Sequence, residues 1–419
     1  MRLPNVRAWM VLALLLPAAA AAQDPPAPSM DPFFDDSVVH EIRLTIHSSD
    51  WALLKEKFLE NIYYPCRFEW QGQAVQNVGI RSRGLGSRSS AKPGLRVDFD
   101  RFAPDQTFLG MKSFVLDNLV QDPSMLKERL AMAVFRRLGS PAPREAHARL
   151  LVNGEFVGLY AIVEAIDKGF LGRSFGADAA GGVENDGYLY EYDYTRDYRF
   201  EYLGANLDEY RLFDPKTNES HAAAQIWGPI EDMIQAINES PEATFGRDVS
   251  AFLDLGLFAR HLAIESFLAE NDGIVGYAGT NNFYLYRFEN TSRFQFLAWD
   301  KDNAFESRDF SIWRNVDTNV LARRALNVPD VRNRFLDTLL EAAALVDERP
   351  IDPAGAPVEG AGWLEREITR GYEQIRPAAY GDTRKPFANQ EFDDAYARLL
   401  EFARSRPAAV RAEVSAAGR

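Results

Sequence analysis

The sequence predicts an α+β protein of two lobes, sheet-rich in its first part and helix-rich in its second. Three observations predict this. Strand-like alternation broken by turn residues crowds residues 38–164. Helical apolar repeats take over beyond residue 220, and two short apolar segments, 282–288 and 294–298, return as late strands. Sheet first and helices later suits a two-lobed enzyme with a cleft between the lobes.

Residues 38–46 alternate through Val39, Ile42, Leu44 and Ile46, and Ser48-Ser49-Asp50 then caps a short helix carrying Trp51, Leu53, Leu54 and Phe58. Residues 63–70 and 75–81 flank the turn Gln71-Gly72-Gln73 and read as a hairpin; strands follow at 95–99 and 112–116. Asp122-Pro123-Ser124 is the clearest helix start, because Asp caps, Pro suits the first turn, and Leu126, Leu130, Val134 and Leu138 recur every four residues. Gly139 and Pro141 end that helix. Residues 146–152 and 156–164 surround Asn153-Gly154, which supports a type I′ hairpin turn. A short helix is expected at 167–173, aromatic-rich strands within 186–213, longer helices at 220–239 and 249–270, and helices again after the late strands.

At the N-terminus, Arg2 and Arg7 precede the apolar run 9–16 and an alanine run ending at Ala22, the pattern of an export signal. The expected organisation is a signal peptide at 1–22, a flexible leader at 23–37, one domain at 38–340, and a helical extension at 341–419 packed on it. No later stretch has the roughly 20 apolar residues of a membrane helix, so the mature chain is expected to be secreted, periplasmic or on the cell surface, as a monomer. The formal net charge of −14 becomes −16 once Arg2 and Arg7 are removed, which argues against a nucleic-acid partner. Cys66 is the single cysteine and excludes an intrachain disulfide.

Chemistry concentrates in Glu270-Asn271-Asp272-Gly273, Asn281-Asn282 and Trp299-Asp300-Lys301-Asp302. Carboxylates at the ends of helices and strands lie on a cleft rim, where they can hold Mg²⁺ or Mn²⁺ and accept a proton from an attacking hydroxyl. If the strand before them continues, Asp300 and Asp302 share one face. Asp-x-Asp is also common in turns, and Asn-Asp-Gly is an ordinary helix terminator. A second group, Arg81, Arg83, Arg88, Lys92 and Arg96 around Gly84 and Gly86, could meet phosphate oxygens, although it has neither P-loop nor GxGxxG spacing. Glu164 ends an apolar strand and could pair with a cleft lysine or lie at an exposed edge; Lys216 is a similar case. The five histidines show no metal-ligand spacing, which disfavours a zinc hydrolase.

In order along the chain, residues 79–99, 122–139, Leu151-Val-Asn-Gly-Glu-Phe-Val-Gly-Leu-Tyr160 with Glu164, Asn282-Phe-Tyr-Leu-Tyr286 and Trp299-Asp-Lys-Asp302 resemble the CotH-type kinases. That resemblance spans roughly residues 38–340. It implies a divergent protein-kinase-like fold and a secreted kinase that uses ATP and Mg²⁺ or Mn²⁺ to phosphorylate Ser or Thr of secreted or surface proteins. Asp272 would be the catalytic aspartate, Asp300 and Asp302 metal ligands, and Asn281 or Asn282 a metal or phosphate contact. Lys92 would neutralise nucleotide phosphates with Glu164 positioning it, and Arg81 and Arg83 would assist. Two departures stand out: Gly84-Leu-Gly-Ser87 replaces a Gly-Asn-Ser-Ser type of turn, and Glu306 follows Phe305 where glycine is common. The alternatives are a non-catalytic surface binding or adhesion protein with the same fold, and a metal-dependent phosphate or glycan hydrolase.

Overall fold

Alternation of apolar and polar residues makes the first lobe a barrel. The computed structural model describes residues 29–177, 182–352 and 358–418; the expected signal peptide and residues 23–28 of the leader lie outside them. Strands β1 (Val39–Ile46), β2 (Tyr64–Trp70), β3 (Gln73–Arg83), β4 (Gly94–Asp98), β5 (Ser113–Asp117), β6 (Glu145–Val152) and β7 (Glu155–Glu164) close in the order β1-β2-β3-β4-β5-β7-β6. Neighbours run antiparallel except where β1 meets β6 in parallel, with Ile42 opposite Leu150. The β6–β7 hairpin turns at Asn153 and Gly154, whose φ values of 53° and 83° suit a type I′ turn.

Helix α1 (Ser48–Glu56) lies beside β2 and β3, and α2 (Lys127–Arg137) packs on the outer wall of the barrel. The helix expected from Asp122 begins five residues later. Met125 takes a left-handed φ of 55°, which interrupts the helical run. The Asp122 carboxylate still serves the helix start, accepting from Leu126 N at 2.8 Å and Lys127 N at 2.9 Å.

The second lobe begins with α3 (Lys168–Phe175), capped by the Asp167 carboxylate. Its sheet has the order β11-β10-β8-β9, formed by β8 (Tyr188–Tyr192), β9 (Phe213–Pro215), β10 (Phe283–Arg287) and β11 (Phe294–Ala298). The helix expected over 220–239 is two pieces, α4 (Ala223–Ile226) and α5 (Gly228–Glu239), because Gly228-Pro229 starts a new turn. That over 249–270 is α6 (Phe245–Val249) and the buried α7 (Leu255–Phe267). Helices α8 (Val320–Leu326), α9 (Pro329–Val346), α10 (Trp363–Gly381) and α11 (Asn389–Ala416) complete the chain. No helix among the described residues is long and apolar enough to cross a membrane.

Each lobe has its own core. The barrel interior is aromatic, with Phe68, Trp70, Phe99, Phe108 and Phe114 buried together. The expected flexible leader contributes to it: residues 31–34 form a 3₁₀ turn that inserts Phe33, fully buried, 5.0 Å from the ring of Phe114 and 5.4 Å from Trp70. Pro and Asp suggest a mobile segment, but two adjacent phenylalanines find an apolar barrel mouth to fill. Phe33→Ala is expected to cost about 3–5 kcal/mol. Denaturant unfolding of the protein measures this, and an unchanged midpoint would show that the segment is not part of the core.

The C-terminal helices are stitched to the rest of the second lobe. Arg406 of α11 is fully buried and donates to four carbonyls: Phe267 and Ser266 at the end of α7 at 2.9 and 2.6 Å, and Arg308 and Phe310 at 2.7 and 2.5 Å. Burial lowers its guanidinium pKa to about 10.

Candidate active site

A cleft of about 630 Å³ lies between the barrel wall and the second lobe. Arg81, Arg83 and the loop 84–88 form its upper side; Asp272, Asn281, Asn282, Asp300 and Asp302 form its lower side. A second chamber of about 840 Å³ shares Glu191 and Lys216 with the first and runs along 164–170, the crossover between the lobes.

Asp272 sits in the turn after α7. Its Oδ2 accepts from Asn281 Nδ2 at 3.1 Å and Asn282 Nδ2 at 3.0 Å. Oδ1 has no hydrogen-bond partner among the described residues. Burial raises the Asp272 pKa, and the two amides partly oppose that rise. Adjacent asparagines, which the sequence could not tell apart, therefore hold the same carboxylate.

Asp300 and Asp302 follow β11 but do not extend it. The strand ends at Ala298, and Asp300 adopts a left-handed φ of 51°, so the expected same-face strand geometry does not hold. Both side chains line the cleft all the same. Asp302 Oδ1 accepts from Asn303 Nδ2 at 2.9 Å. Burial pushes the Asp300 carboxyl up to about 6, with Asp117 and Asp272 adding repulsion against the attraction of Arg83 and Lys301. Asp302 rises too, first from burial and then from Asp300.

Two acids absent from the sequence reading join this cluster. Asp117, at the end of β5, meets Arg83 Nη1 at 3.3 Å. Glu128, in the first turn of α2, is nearly buried; burial, then Glu145, Asp300, Asp117 and Asp302, push its carboxyl well up. In sequence Glu128 looks like an ordinary helix-surface acid, because it lies two residues from both Leu126 and Leu130 and so on the face opposite to them; no local signal marks it as buried. Behind it Glu145 is buried with neither carboxylate oxygen hydrogen-bonded, and burial takes it to about 8. Glu270, likewise buried, stands at about 7.

This set fits a divalent cation by charge and donor type, because hard oxygen ligands crowd together with their negative charge under-compensated. Among the described residues no three of them are arranged as a preformed metal cage. Mg²⁺ does not require one: it takes one or two carboxylates and completes its shell with phosphate oxygens and water.

Lys92 and Glu164 lie elsewhere. Lys92 is fully buried and does not line the cleft; its ammonium is 2.7 Å from Asp382 Oδ2, in poor hydrogen-bond alignment, beyond the end of α10. Gly158 permits that meeting, since a Cβ there would fall 2.6 Å from the Asp382 oxygen and 2.8 Å from Lys92 Cε. Glu164 is buried between Arg144 at 2.7 Å and Arg173 at 2.6 Å, and so does not position Lys92. The expected pairing fails because Asp382, from beyond α10, reaches Lys92, while Arg144 and Arg173, from the segments flanking the β6–β7 hairpin, take Glu164.

The cations that do face the cleft are arginines and Lys216. Arg83 lies 5.8 Å over the Trp299 ring. Arg81 bonds Asn61 Oδ1 at 3.0 Å, and Arg88 also reaches Asn61. Arg81 and Arg96 stand directly opposite each other in β3 and β4, one lining each chamber, and neither forms a salt bridge among the described residues. Like charges so placed repel, and an anion between them would relieve that. Lys216 bridges Glu191 at 2.7 Å and Asp214 at 2.6 Å.

Comparison with known proteins adds an independent line. A model described as CotH kinase protein matches residues 80–410, which runs past residue 340 through α10 and most of α11. The chain is 25% identical over 379 residues to inner spore coat protein H of Bacillus subtilis (strain 168), covering 87% of this chain and 94% of that one. It is 25% identical over 250 residues to invasin CotH2 of Rhizopus delemar (strain RA 99-880), covering 56% of this chain and only 41% of that longer protein. Among solved structures, the Helicobacter pylori proinflammatory kinase CtkA overlays with a TM-score of 0.30 and 9% identity, over 80% of this chain and 94% of that one.

Proposed function

The chain belongs to the CotH kinase protein family, and from that premise we propose that it transfers the γ-phosphoryl group of ATP to Ser or Thr of extracytoplasmic or surface proteins, with Mg²⁺ or Mn²⁺. The observation that carries this reading is the cleft itself, which gathers Asp272, Asn282, Asp300 and Asp302 against Arg81 and Arg83 from the opposite lobe.

In this reading Asp300 and Asp302, both lining the cleft, would hold the cation, which supplies charge neutralisation at the phosphates. Arg83, Arg81 and Lys216 would steady the phosphate oxygens. The second chamber, with Tyr284 and Phe170 in its wall, would seat the nucleoside. The acceptor hydroxyl oxygen bonds to the γ-phosphorus as the bond to the β–γ bridging oxygen breaks, ADP leaves, and the hydroxyl proton passes to Asp272. The amides of Asn281 and Asn282 hold one oxygen of that carboxylate and leave Oδ1 to receive the proton. Nucleotide neutralisation, first assigned to Lys92, falls in this reading to the arginines.

The test is incubation of residues 23–419 with γ-labelled ATP and either cation, beside Asp272→Asn. Label on the wild-type chain or a generic acceptor is expected, with kcat reduced by about 10²–10⁴-fold in Asp272→Asn and ADP affinity little changed. Equal labelling by both proteins would remove Asp272 from its role. A non-catalytic binding role is the second reading. It is favoured by the burial of Lys92 away from the cleft and by the name of one relative, an invasin. Absence of both labelling and nucleotide binding would support it.

A further inference from the structure

Lys301, between Asp300 and Asp302, has no role in the reading above, and its surroundings suggest one. Lys301 is fully buried between two proposed metal ligands. Its Nζ donates to Glu265 Oε1 on α7 at 2.7 Å and to the Asn282 carbonyl at 2.8 Å. The other Glu265 oxygen accepts from Ile274 N at 2.9 Å, two residues past Asp272, and His261 Nε2 lies 3.2 Å from Oε1. One ion pair thus touches α7, the Asp272 turn, the start of β10 and the segment after β11. The last three of these carry Asp272, Asn282, and Asp300 with Asp302, and α7 anchors them.

The backbone at these places needs holding. Asn282 and Asp300 have left-handed φ values of 56° and 51°, which Asn and Asp adopt more readily than other L-residues, and the Lys301 bond to the Asn282 carbonyl fixes the first of these turns. Space is tailored to the pair as well: a Cβ on Gly273 would fall 2.5 Å from Glu265 Oε2, so the residue after Asp272 must be glycine if the carboxylate is to reach the turn. An isosteric apolar pair could fill the same volume without desolvating two charges. It could not donate to the Asn282 carbonyl or accept from Ile274.

We propose that Lys301 and Glu265 form a positioning strut that sets the catalytic Asp272 turn at a fixed distance from the Asp300–Asp302 segment, so that proton acceptance and metal holding are aligned on one phosphoryl group. The inference rests on the phosphotransferase reading above. It assigns to Lys301 no contact with substrate; the residue acts through Asn282 and its own flanking aspartates.

The experiment compares Lys301→Met, Glu265→Gln and the double variant, in the full mature chain, for melting temperature, Mn²⁺-induced stabilisation and steady-state transfer from γ-labelled ATP. Each single change leaves a buried charge or a broken pair and should lower the melting temperature. The double variant removes both charges and should recover stability, yet its kcat should remain at least about 100-fold below wild type with KM for ATP within a few-fold. Return of kcat together with stability would show the pair to be structural only and would overturn the proposal while leaving the kinase reading intact. If wild type neither transfers label nor is stabilised by Mn²⁺, the kinase reading fails and the strut's role falls with it. Lys301→Arg covers failure of the double variant to fold: it keeps the charge and can still donate, but its larger guanidinium cannot enter the fully buried site without displacing the turn. It should fold and melt below wild type with reduced kcat, and wild-type kcat in it would overturn the proposal.

Discussion

Asp300→Asn is expected to abolish metal-dependent phosphoryl transfer and, in metal-free protein, to raise the melting temperature. The two effects share one cause. Burial, with repulsion from Asp117 and Asp272 set against the attraction of Arg83 and Lys301, pushes the Asp300 carboxyl from 3.8 to about 6. Such a rise corresponds to roughly 3 kcal/mol of unfavourable charge at neutral pH. The isosteric amide removes that charge, and with it a principal donor for the cation. A loss of at least about 10³-fold in kcat is expected, the scale set by removing charge stabilisation from a phosphoryl-transfer site, with no Mn²⁺-induced rise in melting temperature. Wild-type turnover by the variant would end the assignment.

The same cluster makes stability depend on pH. A carboxyl whose folded pKa is raised favours the folded state most when protonated. Its contribution is complete below the unfolded value near 4 and is lost as pH climbs through the folded value. Asp300 at about 6, Glu270 at about 7 and Glu145 at about 8 therefore spread the loss between pH 4 and pH 8. Glu265 runs the other way: although burial pushes its carboxyl up, Lys301 and His261 outweigh that and hold it at about 2, so its contribution is lost only in strong acid. Metal-free protein should melt at a lower temperature at pH 8 than at pH 5, and millimolar Mg²⁺ should restore part of the difference at pH 8. A flat profile would mean that the carboxylates are not crowded as described.

Lys92→Met is expected to act on stability rather than on nucleotide affinity. The change strands the fully buried Asp382 carboxylate without its counter-charge, a loss of about 3–5 kcal/mol for one broken buried pair. Asp382 also accepts from Leu159 N at 3.0 Å and Arg384 N at 3.0 Å, so the segment after α10 should loosen from β7. Lys92→Met combined with Asp382→Asn removes both charges and should recover much of the stability, with ATP affinity within a few-fold of wild type. A folded double variant that binds ATP more than tenfold more weakly would return Lys92 to the nucleotide site. Denaturant titration and calorimetric nucleotide binding measure the two halves separately.

Much of the local structure was legible because it depends on neighbours in sequence. Asn153-Gly154 dictated its hairpin turn, the Asp167 carboxylate its helix start, and the apolar run through Phe258 and Leu262 a buried helix. The polar turns at Asp272 and Asp300 were readable as cleft residues because carboxylates just beyond apolar segments cannot be buried unpaired. Breaks in helices were less legible. Trp227-Gly228-Pro229 and Met125 interrupt runs whose periodicity continues across them, and periodicity carries no record of a backbone turn.

By itself the sequence determined the α+β order of elements, the family motifs and the segments that carry Asp272, Asn282, Asp300 and Asp302. Only the tertiary structure decided that β1 closes on β6, that Phe33 fills the barrel, that Asp382 takes Lys92, and that Arg144 and Arg173 take Glu164. It also brought Asp117 and Glu128 to the acids after β11. The physical reason is the same in each case. A turn or a cap is selected by steric and hydrogen-bonding preferences within a few residues, whereas a buried charge is matched to whichever counter-charge the packing of distant faces brings within about 3 Å of it, and no local pattern encodes that choice.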